Sequence, residues 1–110
     1  MDKMLSLIKS MLLARKGKSF GNEVADYIGM HRSLYHGAME DGGCSLHMIQ
    51  LASYKSNGMS VEEVAHLSVP FLLPGLRKLE DRFGSQDLII EARRHVYGLM
   101  KNQMINIVSQ

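Results

Sequence analysis

Tryptophan is missing from this chain, cysteine occurs once and proline twice, and only three Phe and four Tyr supply aromatic surface. The lone Cys44 excludes an intramolecular disulfide framework and suits a reducing compartment, leaving open only a bridge across a dimer. Charge of one sign is also scarce: thirteen basic residues face eleven acidic ones, a net charge of +2. Proteins that grip nucleic acid unaided carry a stronger basic excess or a clear basic stripe, so this balance permits DNA binding without demanding it. No apolar run approaches the ~18–20 residues of a membrane span. The apolar stretch Met4–Ala14 is interrupted by Lys9 and followed by no small-residue cleavage site, and Asp2 ill suits a transit peptide. The expectation is a cytoplasmic protein.

What remains is ordinary globular material. At 110 residues and 45% hydrophobic, the chain reads as a single domain over 1–110 with one modest core. Nine Met suit adaptable filling between helices, and exposed Met would mark a surface that accommodates a partner. Alternating strand patterns are absent apart from short apolar runs, and apolar spacing predicts five or six helices.

The first helix is expected over about 3–15, where Met4, Leu5, Ile8, Met11 and Leu12 recur at three- and four-residue steps, with Gly17 ending it. Leu7 and Leu13 fall off that stripe and need cover of their own. A second helix is expected over about 22–39, with Val24, Ile28, His31, Tyr35 and Met39 on one side, then a break at Asp41-Gly42-Gly43. Ser45 is expected to cap a third, carrying Leu46, Ile49 and Ala52 on a face that reaches Tyr54 and ended by Asn57-Gly58. Ser60-Val61-Glu62-Glu63 is a capping box, so a fourth helix starts there and stops near Leu67 ahead of Pro70. Pro74 opens a helix through Phe83, Gly84 stops it, and a last helix runs from Ser85–Asp87 to about Ile107, with Ile89, Ala92, Val96, Leu99 and Ile107 inward.

Chemistry-bearing constellations are thin. His31, His36, Cys44 and His47 fall close together, but zinc needs about four converging soft or imidazole ligands, and a single thiol with histidines five apart on a helix falls short. Cys44 at a helix start has the makings of an activated thiol, yet no nucleophile–base–orienter pattern accompanies it, and Gly42-Gly43 completes no phosphate-binding fingerprint. Neither enzyme nor cofactor is expected. The N-terminal helix with Arg15, Lys16 and Lys18 has the pattern of a membrane-surface element, but packing is preferred, with dimerisation as a variant. Leu5, Ile8, Met11 and Leu12 are then the candidate dimer or partner interface.

From Gly58 to Phe83 a capped helix with the small Ala65 facing inward, a turn and a second helix meet the requirements of a helix-turn-helix, offering Arg77, Lys78 and Arg82 to phosphates or base edges. A bare helical hairpin is the competing reading. Glu62-Glu63-Val64-Ala65, Leu67-Ser68-Val69-Pro70 and Arg82-Phe83-Gly84-Ser85-Gln86-Asp87-Leu88-Ile89 together resemble the FlhD family, the small helical subunit of the bacterial flagellar master activator and its relatives on mobile elements. The resemblance covers about a third of the chain. It departs at Pro74, where the family's helix continues, and at Cys44, which lies well before the family's cysteine, so no intersubunit disulfide is carried over. It implies a homodimer that joins a zinc-bearing, FlhC-like second subunit, binds promoter DNA through the complex and activates transcription. Residues around Phe83–Arg94 would then be candidates for partner or DNA contact, with Arg82, Arg93 and Arg94 as the phosphate contacts.

The expectation is thus an all-α, dimeric domain with a helix-turn-helix-like segment, acting as a transcription-regulatory subunit on DNA. The rival is a protein-only helical adaptor, anti-activator or secretion chaperone that buries an apolar groove against one partner.

Overall fold

In the computed structural model, which describes the backbone of residues 2–44 and 46–109 and side chains as far as Gln103, five helices pack around one core and no strand occurs among the described residues. They are α1 (Asp2–Ile28), α2 (Arg32–Asp41), α3 (His47–Ser56), α4 (Val61–Phe83) and α5 (Asp87–Ser109). Ser45 and the side chain of Ile107 lie outside the described residues.

The helix ends that local chemistry specifies fall where expected. Ser60 Oγ accepts from the Glu63 amide at 3.1 Å while the Ser60 amide donates to Glu63 Oε1 at 3.3 Å, closing the capping box of α4. The Gly42-Gly43, Asn57-Gly58 and Gly84 breaks separate the helices on either side of them.

Two expectations are overturned, both by packing. Gly17 does not end a helix. It lies inside α1, where a Cβ would overlap the Met48 carbonyl of α3, so its missing side chain lets two backbones touch. The chain instead breaks at Gly29, whose φ of 85° allows Met30 N–H to close back on the Ala25 carbonyl at 2.9 Å. His31, expected on an inner face, is exposed at this break.

Nor is there a turn between Ser68 and Pro74. The helix-turn-helix-like segment is one continuous helix, α4, with Pro70 and Pro74 inside it. Both prolines are exposed, while Val64, Ala65, Ser68, Val69, Leu72, Leu76 and Leu79 form an unbroken buried stripe through them. A proline removes one helical hydrogen bond and costs about 3 kcal/mol in a helix interior. Burying several apolar side chains at roughly 1.5–3 kcal/mol each outweighs two such losses on the solvent face.

The core joins Phe20, Val24, Ala25 and Ile28 of α1 to Tyr35 and Met39 of α2, Leu51 of α3, the α4 stripe, and Ile89, Ala92, Val96 and Leu99 of α5. At its centre Tyr35 lies edge-on to both His36 and His47, at 5.2 and 5.3 Å between ring centroids, and its hydroxyl is 3.3 Å from Ser68 Oγ. Burial pushes the Tyr35 phenol up to about 12. The radius of gyration, 15.2 Å, exceeds the roughly 13 Å of a compact chain this long. Part of that excess is the first half of α1.

Candidate functional site

Residues 2–16 of α1 form an arm. None of them is buried, and burial along the helix begins at Gly17. Asp2 sits in the first turn, where a carboxylate favours the helix dipole, and no glycine or proline interrupts the segment before Gly17. A helix this short is marginal on its own in water, so the packed half of α1, anchored by Phe20, Val24 and Ile28, templates it.

The arm's composition does not match its exposure. Met4, Leu5, Leu7, Ile8, Met11, Leu12 and Leu13 are each between 42% and 69% exposed. At about 100° per residue, all but Leu13 fall within roughly half of the helix circumference, a breadth typical of a helix face packed on a protein. Single exposed apolar residues are ordinary on a surface, but a contiguous set of this size marks an interaction site. The four candidate interface residues, Leu5, Ile8, Met11 and Leu12, all lie on this face.

The candidate phosphate contacts are distributed differently. Arg77 and Lys78 of α4 and Arg93 of α5 line a shallow groove of about 560 Å³, together with Leu73, Pro74, Asp81 and Tyr97. Arg93 is paired with Glu80 at 2.6 Å, and Arg82 lies 3.5 Å from Asp41 with its guanidinium 5.7 Å from the Phe83 ring centre. Arg77, Lys78 and Arg94 have no ion-pair partner among the described residues. The structure therefore gathers three of the five arginine and lysine candidates and engages two of the five with acids. Tyr97, four residues after Arg93 on α5, is a groove residue the sequence reading missed; that spacing is the signal that could have found it.

The histidine–cysteine set does not converge. His31 Nδ1 bonds Ser33 Oγ at 2.8 Å on the surface, His36 Nε2 meets Asn22 Oδ1 at 3.0 Å, and the Cys44 thiol donates to Gln50 Oε1 at 2.7 Å. No group of three or more His, Cys, Asp or Glu is placed to hold a metal among the described residues. Burial pushes the Cys44 thiol up, away from thiolate chemistry. His36 and His47 do meet, their ring centroids 5.5 Å apart in the core. Desolvation lowers both, aided at His36 by Lys18 and at His47 by His36, and carries His47 down to about 4, so both rings are neutral near pH 7. No described helix is long and apolar enough to cross a membrane.

Set beside known proteins, the chain matches no protein-family model, no curated protein and no solved structure.

Proposed function

We propose that this protein is an assembly subunit that seats the apolar arm of α1 against another protein surface. The observation that carries this reading is the concentration of seven large apolar side chains on a 15-residue segment that buries none of them. Fully covering such a side chain is worth roughly 1.5–3 kcal/mol, so even partial cover of six meets a substantial part of the cost of association. The double variant Leu5→Glu/Leu12→Glu tests it. In native lysate the tagged variant should elute at monomer size while the wild type runs larger. Its purified core should melt at nearly the wild-type temperature, because substitutions at exposed positions usually change stability by no more than about 0.5 kcal/mol. Identical elution of both proteins would remove the arm from assembly.

A second reading, a transcription-regulatory subunit within a DNA-bound complex, draws support from the exposed Arg77 and Lys78 of the α4–α5 groove, from the exposed Arg94 of α5, and from the FlhD-like residues of α4 and α5. Three candidate cations without an ion-pair partner among the described residues make a weak electrostatic footprint, so any such contact belongs to the assembled complex rather than to this chain alone. Arg77→Ala/Lys78→Ala should weaken DNA binding by the complex across all sequences and lower the slope of log affinity against log salt by about 2. An unchanged slope would leave the protein-only adaptor as the better account.

A further inference from the structure

This inference deepens the reading of the arm as an assembly surface and rests on it. We infer that what covers the arm is the same arm of a second copy of this chain, packed antiparallel about a two-fold axis at Ile8.

A two-fold interface must be complementary to itself. The arm's central stripe is Met4, Leu5, Ile8, Met11 and Leu12, spaced one, three, three and one residues apart. That spacing is the same read from either end. With Ile8 on the axis, Met4 lies against the partner's Leu12, Leu5 against the partner's Met11, and Ile8 against itself. Every large side chain of the stripe meets another one.

Charge selects the direction. Asp2 is the sole acidic residue of the arm, at its tip, while Arg15 and Lys16 stand at its base. Antiparallel packing brings Asp2 alongside the partner's Lys16, on the same edge of the helix. Parallel packing would lose this pairing, because the same edge of two parallel helices lies on opposite sides of the seam, and it would set Arg15, which falls near the centre of the stripe, against its own copy. Lys9 lies at the solvent rim near the axis and Lys3 on the opposite edge, so neither is enclosed.

Length fits as well. With the axis at Ile8, position 2 of one arm lies opposite position 14 of the other, and burial in the body begins at Gly17. Each tip therefore stops just short of its neighbour's body, and the overlap uses nearly the whole arm. At roughly 100 Å² of apolar surface for each of six side chains, two arms remove on the order of 1,200 Å², the lower end of a specific interface. The dimer should accordingly be reversible, dissociating within about 1–100 μM.

The test uses the full chain with Cys44→Ser as background. Light scattering between about 1 and 100 μM should show a monomer–dimer equilibrium, shifted toward monomer at least tenfold by Ile8→Glu. Orientation is read by mild oxidation. Ile8→Cys should crosslink to its own copy. Met4→Cys alone should not, because eight helical residues separate the two copies by about 12 Å along the axis, beyond the roughly 7 Å limit for a disulfide. Met4→Cys mixed with Leu12→Cys should give the mixed dimer. Efficient self-crosslinking of Met4→Cys would overturn the antiparallel arrangement. A chain monomeric at all these concentrations would overturn self-pairing. If that monomer still forms a stoichiometric complex with a different protein, lost in Leu5→Glu/Leu12→Glu, the assembly reading survives without this inference. If it forms none, both fall.

Discussion

Gly75→Ala is expected to destabilise the fold by about 2–4 kcal/mol, lowering the melting temperature by roughly 10 °C or more. Helix propensity alone predicts the opposite, since alanine in place of an interior glycine gains about 1 kcal/mol. Packing decides the sign. A Cβ at Gly75 would overlap the carbonyl oxygen of Ala38 in α2, with the Ala38 carbonyl carbon and Cα also in the way. These are backbone atoms of a packed helix and cannot rotate aside, so α2 and α4 must separate along their contact. A Cβ at Gly42, at the end of α2, would likewise overlap the Phe71 carbonyl of α4, though less severely, which makes the α2–α4 crossing a backbone-to-backbone contact at two points. The control is Gly98→Ala on the exposed face of α5, where a Cβ meets nothing within 4 Å. There propensity acts alone, and a gain of about 0.5–1 kcal/mol is expected. Thermal and urea unfolding of the two variants side by side measures both effects. Equal stabilisation of both would mean that the close approach at Ala38 does not exist.

The same residues show which parts of the fold were legible in the sequence. Ser60 and Glu63 act on atoms within three residues of themselves, and Gly58 and Gly84 end helices through their own backbone angles, so a local reading locates them. Gly17 cannot be read that way. A glycine that ends a helix and a glycine that admits a neighbouring backbone look alike until the neighbour, here Met48, is known. Pro70 and Pro74 carry the same ambiguity. Their local cost is fixed, but the gain that overrides it comes from Leu72, Leu76 and Leu79 packing across the core, which no window of sequence contains. Losing the turn at Pro70–Pro74 also removes the argument for Arg77, Lys78 and Arg82 as one reading helix: Arg77 and Lys78 now share a groove with α5, while Arg82 faces Asp41 of α2. The apolar stripe of α1 was legible from its spacing. That the stripe projects beyond the body was not, because it depends on where α3 meets α1, at Gly17.

Acid should loosen the core through His47, with an expected loss of about 3 kcal/mol between pH 6.5 and pH 4. The ring is almost wholly buried against Tyr35 and His36, and its Nε2 has no hydrogen-bond partner among the described residues. Desolvation, helped by the neighbouring His36, lowers His47 from 6.5 to about 4 in the folded chain. Within that interval the unfolded chain holds a proton that the folded chain refuses, so the unfolded state binds more protons and stability falls as pH falls. Above pH 6.5 the group adds no slope, and below pH 4 the loss is complete. His36 is lowered as well and acts in the same direction. Urea midpoints at pH 7.5, 5.5 and 4 give the slope in the wild type and in His47→Phe. The phenyl ring keeps an edge-on contact with Tyr35 but cannot be protonated, so between pH 6.5 and 4 the variant should lose about 3 kcal/mol less than the wild type, whatever its absolute stability. Carboxylates titrate in both proteins alike and cancel in the comparison. An undiminished slope in His47→Phe would place the acid sensitivity outside this cluster.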